Sequence, residues 1–347
     1  MANPEVLRRY QTLDGLGGIA ALAVVIHHGG VWFPIKPNLA ASAVDLFFLL
    51  SGFVIAATYE HRLASGLSSA QFMAIRLIRM YPLYLVGLII ALFGLTLSLW
   101  SHGGLTPFHL AFWKAAPFAA LMLPSPSFGV MGNVYPLNPP AWSLFYELCI
   151  NLVFALTYRH WTVRNIAIVA VLAGSAFIIQ PEMLTGGWSH LNFLDGIFRV
   201  CYFYPLGVLL LRIYPKIPVF PALRAWHCLA FFVAVVWCDF GPLTFLSVLV
   251  VYPVLVALAV KTEPSGLIAQ ACKKAGLWSY AIYAVHFPLI ALAQTVESKL
   301  QMHLDPLLAS VSVIAGLIVF AELLDRYYDG PVRRLLSVRL IGVRVWT

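Results

Sequence analysis

The stretch GIAALAVVIHHGGVW, residues 18–32, ends an apolar run on two imidazoles, His27 and His28. An ionisable side chain inside a membrane segment is costly and is read first as functional. Histidine suits proton transfer near neutral pH, because its unperturbed pKa is about 6.5. Adjacent residues lie about 100° apart on a helix, so His27 and His28 cannot serve one point, and one is read as structural. Two carboxylates accompany them. Asp45 opens the second apolar segment, and Glu147 ends NPPAWSLFYE, where Asn138 can cap a helix that Pro139 and Pro140 begin. Ser143, Glu147 and Asn151 recur four residues apart, a polar stripe that must face the bundle or water. In GLWSYAIYAVHFPL, Ser279, Tyr283 and His286 share a face, with His286 near the middle of its segment. Arg76 and Arg79 lie three residues apart in QFMAIRLIRMYPLYL, a fork suited to a polyphosphate. Their alternative reading is topology-setting charge with snorkelling stems. Asp195 and Arg199 are spaced as a structural ion pair. The five cysteines (Cys149, Cys201, Cys228, Cys238, Cys272) have no metal spacing and are read as core packing, so no metal site is expected.

Membrane helices must hold these residues. The chain has 347 residues, 61% hydrophobic and 10% charged, too apolar for any soluble domain to cover. Its apolar runs of roughly 17–25 residues match about 30 Å of hydrocarbon. The expected fold is all-α, a polytopic membrane protein forming a single domain over 1–347. About ten transmembrane helices are expected, at 16–34, 42–59, 80–101, 141–157, 163–180, 194–211, 225–239, 242–260, 277–296 and 306–324. The first run has no cleavage site after it and is read as a retained span. Residues 107–123 hold Lys114 and two prolines, Pro107 and Pro117, which argues against a clean span.

Charge sets the threading. With both termini cytoplasmic, all of the 22 Lys and Arg fall in cytoplasmic segments except Lys36, Lys114, Arg199 and Lys299. Residues 102–140 then form an external re-entrant or interfacial excursion, and 326–347 a basic cytoplasmic tail. The net charge of +8 is assigned to topology and the lipid bilayer, with no nucleic-acid partner. This threading expects His28, Asp45 and Glu147 at similar depth on the outer side. Arg76 and Arg79 are expected at the cytoplasmic mouth of the third span.

Six blocks, in this order, resemble the acyltransferase 3 family of membrane O-acyltransferases. They are YQTLDGLGGIAALAVVIHH (10–28), AVDLFFLLSGFVI (43–55), RLIRMYPLYL (76–85), NPPAWSLFYELCINLVF (138–154), GLWSYAIYAVHFPL (276–289) and DGPVRRLL (329–336). The resemblance implies transfer of an acyl group, commonly acetyl, from cytoplasmic acyl-CoA to a hydroxyl. The implied acceptor is an envelope glycan or another membrane-associated or lipid-linked molecule, and no cofactor is held permanently. The implied setting is a bacterial inner membrane.

Carried over by motif, the first-span histidine falls on His28 and the arginine pair on Arg76 and Arg79. Asp45 and Ser51-Gly52 match the second block, Glu147 the acid of the Trp-Ser-Leu motif, and His286 the later histidine. Gly17 stands where the family has arginine, which implies substitution by Arg8 or Arg9, a divergent activity or an impaired enzyme. The expected roles are His28 as base, with Asp45 or Glu147 orienting it or positioning the acceptor. Arg76 and Arg79 bind the CoA phosphates, and Ser143, Asn151, Tyr283 and His286 bind substrate. A proton-coupled transporter exporting a glycan or small molecule is the competing reading, but its usual two similar halves are missing.

Overall fold

A computed structural model of the chain describes residues 10–101, 104–126 and 132–341. Arg8, Arg9 and Arg344, with parts of the expected excursion and tail, lie outside the described residues. Regular structure among the described residues is helical, apart from one isolated bridge between Asn133 and Ser189.

In chain order the helices are α1 (Gln11–His28), α2 (Ala43–Ala64), α3 (Ser69–Ser101), α4 (Pro107–Ala120), α5 (Ala141–Thr157), α6 (Val163–Ile179) and α7 (Asp195–Ile213). They continue as α8 (Ala225–Trp237), α9 (Thr244–Leu246), α10 (Tyr252–Ala259), α11 (Gly266–Lys299), α12 (Pro306–Leu324) and α13 (Gly330–Ile341). A π-helical stretch, Ser247–Val251, joins α9 to α10, and another, Asp325–Asp329, joins α12 to α13. Among the described residues, six helices are long and apolar enough to cross a membrane: α2, α3, α5, α7, α11 and the run Pro306–Ile341. Shorter apolar helices occupy α6, α8 and Thr244–Ala259. The chain is an all-α, polytopic membrane protein, and every expected span contains helix. Within the expected excursion, α4 has 14 residues. That is about 21 Å of helix, short of the ~30 Å hydrocarbon core.

Two helices outrun their apolar segments. α3 begins at Ser69 rather than at residue 80, because Phe72, Ile75 and Ile78 continue a buried stripe at helical spacing. Arg76 and Arg79 therefore lie within the helix rather than before it. Hydropathy registers only the uninterrupted apolar part. α11 likewise begins at Gly266 rather than near residue 277. The expected tail is also more structured than its charge implied: α13 packs on α3, and its Ser337 is fully buried.

Small residues set the crossings that position the site. α2 meets α7 where Gly52 faces the backbone of Tyr204 and Gly207 faces that of Leu49. A Cβ at Gly52 or Gly207 would lie 2.0 or 2.1 Å from a carbonyl oxygen, so only glycine permits this approach. α1 closes on α11 in the same way, with Gly18 against Ala275. Asn138 does not cap α5. Its Nδ2 donates instead to the Ala284 carbonyl of α11 at 3.0 Å, and Pro140 takes the cap position without a side-chain bond. Of the cysteines, Cys228 and Cys272 are buried as expected, while Cys149 and Cys238 are exposed.

Candidate active site

α1 ends at His28, and α11 brings His286 against it, with His28 Nδ1 3.1 Å from His286 Nε2. The surrounding hydrogen bonds assign both tautomers. His286 Nδ1 lies 2.9 Å from the Tyr283 carbonyl and 3.2 Å from that of Ile282, so it carries the proton and donates. Its Nε2 is therefore a lone pair. His28 Nδ1 faces that lone pair and the Val24 carbonyl at 3.0 Å, two acceptors, so it too must be the donor. The lone pair of His28 is thus on Nε2, which has no hydrogen-bond partner among the described residues. A neutral imidazole with a free Nε2 is set up as a base. His27 packs edge-on against His28, centroids 5.1 Å apart, and takes no part in these bonds.

Neither carboxylate bonds His28, so the expected orienting contact is absent among the described residues. Asp45 is fully buried and holds Arg199 with two bonds, 2.9 Å from Nε and 3.0 Å from Nη2. Arg199 also donates to the Gly186 carbonyl at 2.7 Å and to that of Ala41 at 3.1 Å, with its guanidinium 4.9 Å from the Trp142 ring. This pair replaces the expected one between Asp195 and Arg199. Spacing put Asp195 one turn from Arg199, but the crossing at Gly52 and Gly207 delivers Asp45 into direct contact.

Glu147 belongs to a different cluster. A cavity of 330 Å³ lies among α1, α2, α3, α5 and α11. Gly17, Ser51, Arg76, Arg79, Ser143, Glu147, Tyr280 and Tyr283 all line it. Glu147 Oε1 accepts from Arg76 Nη2 at 2.8 Å and from Ser51 Oγ at 2.9 Å. His28, Asp45 and Glu147 thus belong to three separate hydrogen-bond clusters. Arg76 stands about two helical turns inside α3, and its long stem reaches the middle of α5. A side chain at position 17 would enter the cavity, since a Cβ there meets only carbons of Leu50 and Phe47, at 3.9 Å.

The rings of Tyr283 and Phe47, 5.5 Å apart, both line the cavity. Tyr283 OH and Ser143 Oγ lie 2.6 Å from each other, and both reach the Pro140 carbonyl, at 3.0 and 3.1 Å. His286 packs one turn further along α11, 5.8 Å from the Tyr283 ring, and neither His28 nor His286 lines the cavity. Asn151, the third member of the polar stripe, stays outside it and accepts from Tyr204 OH at 3.0 Å.

Sequence reasoning missed Asp329. Arg79 lies over the Tyr280 ring, 5.1 Å away, and 3.8 Å from Asp329 Oδ2. Arg333 holds the same carboxylate at 2.7 Å. The acid in DGPVRR thus steadies Arg79 at the cavity wall. Its signal was the Asp–Arg spacing of four residues, obscured by the net positive charge of the segment around it.

Comparison with known proteins settles the class. The sequence model of the acyltransferase 3 family, described as an acyltransferase domain, matches residues 10–325. This chain belongs to that family. The acyltransferase is 36% identical over 182 residues to "Protein 2 in picA locus" of Rhizobium radiobacter, covering 50% of this chain and 93% of that protein. It is 26% identical over 390 residues to "Acyltransferase MdmB" of Streptomyces mycarofaciens, covering 97% of this chain and 95% of the relative. No solved structure matches it. The family makes the chain a multi-pass membrane acyltransferase and decides against the exporter reading.

Proposed function

We propose that this acyltransferase moves an acyl group, commonly acetyl, from cytoplasmic acyl-CoA to a hydroxyl of an envelope glycan or other membrane-associated acceptor. The observation that carries the reading is the free Nε2 lone pair of His28, fixed by His286 one turn beyond a cavity that holds two guanidiniums. The threading places both termini inside, so Arg76 and Arg79 approach from the cytoplasm and His28 lies toward the outside, in a bacterial inner membrane.

The donor enters along the Arg76 wall. Its diphosphate meets the guanidiniums, and its thioester reaches the Ser143 and Tyr283 hydroxyls, which can bond the carbonyl oxygen. The Phe47 and Tyr283 rings turn aside to pass the thioester toward His28. His28 Nε2 takes the proton of the acceptor hydroxyl as its oxygen attacks the thioester carbonyl carbon. The carbon–sulfur bond breaks, and the departing sulfur takes the proton from the imidazolium. The products are an ester and free CoA. Asp45 acts at a distance, by holding α2 to α7, and Glu147 by holding Arg76.

The test compares glycan and lipid fractions from a deletion strain and from its complemented parent. Ester-linked acyl groups released by mild base are expected only in the complemented strain. Equal ester content in both strains would overturn the reading.

A further inference from the structure

A second and larger cavity adjoins the first, and the reaction above makes no use of it. It measures 1220 Å³ and lies between the end of α2, the α5–α6 connection and the end of α7. Tyr10 and Val54 line both cavities, so each opens at the threshold of the other. On α2 alone the combined lining runs from Val44 to Ala64. That is about 30 Å along the helix, room for a long, thin ligand with a bulky end.

The chemistry of the larger cavity differs from that of the smaller one. In the inner cavity Arg76 is matched by Glu147, and Arg79 by Asp329. In the outer one, Glu60 offsets Arg212 alone. Arg159 is exposed, donates to Tyr158 OH at 3.1 Å and lies 5.7 Å from the Tyr158 ring. Lys261 Nζ sits 3.8 Å from the ring centre of Tyr214, another lining residue. Trp161 and Tyr10 add further aromatic surface. Cations interleaved with aromatic faces suit a planar base that carries phosphates.

We propose that this vestibule binds the adenosine-phosphate end of the donor, with the arm running past Tyr10 and Val54 into the inner cavity. The proposal rests on the donor reading above and adds to it where the nucleotide sits. Anionic lipid headgroups carry the same phosphate chemistry, so the experiment separates the two sources.

The full chain is purified into nanodiscs of phosphatidylcholine, and equilibrium binding of acetyl-CoA and of adenosine 3′,5′-bisphosphate is measured. The bisphosphate is expected to compete with acetyl-CoA on the wild type. Arg159→Ala is expected to weaken both by about 10-fold or more, the worth of one charge-assisted phosphate contact. Arg159→Lys recovers only part of the loss, since the fork geometry is gone. Ala57→Trp fills the vestibule without removing a charge and is expected to weaken both probes as well. If the wild type binds neither probe, the donor reading falls, and the vestibule with it. If the wild type binds acetyl-CoA and both Arg159→Ala and Ala57→Trp bind it equally well, the vestibule assignment alone falls. It also falls if Arg159→Ala matters only in nanodiscs containing phosphatidylglycerol, which would make the site a headgroup site.

Discussion

His28→Ala lowers acyl transfer by about 10²-fold or more at matched membrane levels, the low end of what a lost general base costs. The variant inserts and accumulates normally, because it removes a polar group from an apolar helix. His27→Ala costs much less, since His27 makes none of the bonds that set the His28 tautomer. His286→Ala falls between the two. It leaves the base in place but removes the Nε2 acceptor that turns the His28 lone pair outward. The fall in His286→Ala is expected in kcat rather than in the KM for acyl-CoA, because the donor cavity is not lined by His286. The measurement is ester-linked acyl per unit of membrane protein for the three variants. Near-wild-type transfer by His28→Ala, or a larger loss in His27→Ala, overturns the assignment.

Asp45→Ala is expected to destabilise the protein by about 3–5 kcal/mol, the cost of leaving one member of a buried ion pair without its partner. Arg199 is 1% exposed and would keep only the Gly186 and Ala41 carbonyls. The variant should accumulate poorly and melt early in detergent. Replacing both partners, Asp45→Leu with Arg199→Leu, should recover most of the stability, because two apolar side chains leave no uncompensated charge. Stability is read by thermal unfolding, and transfer is read in parallel on whatever protein accumulates. An Asp45→Ala protein that melts like wild type yet has lost transfer would return Asp45 to the reaction itself.

Much of this protein is written locally in its chain. Apolar runs long enough for hydrocarbon identify the helices one segment at a time, and each needs only its own residues. The motif blocks identify the family and single out His28, Glu147, Arg76 and Arg79 as residues to watch. What the chain does locally also misled at the edges. Arg76 and Arg79 interrupt hydropathy but not helix, so α3 runs eleven residues further back than its apolar part.

Partnership was decided by the tertiary structure alone. His28 meets His286 across 258 residues, and Asp45 meets Arg199 across 154. In the first case α1 closes on α11 at Gly18, and in the second α2 closes on α7 at Gly52 and Gly207. The sequence shows these glycines but not which backbone each will face. Spacing favoured Asp195 for Arg199 because one turn of helix is a certain proximity, while a crossing is invisible in one dimension. The separation of His28, Asp45 and Glu147 into different clusters was hidden for the same reason: residue counts measure height within a single helix. The meeting of Glu147 with Arg76 depends on how α3 and α5 are offset, and on a flexible stem long enough to close the gap. Helix identity is a property of neighbours in the chain. The site is a property of helix crossings, and those are fixed only when every small residue has found the surface it fits.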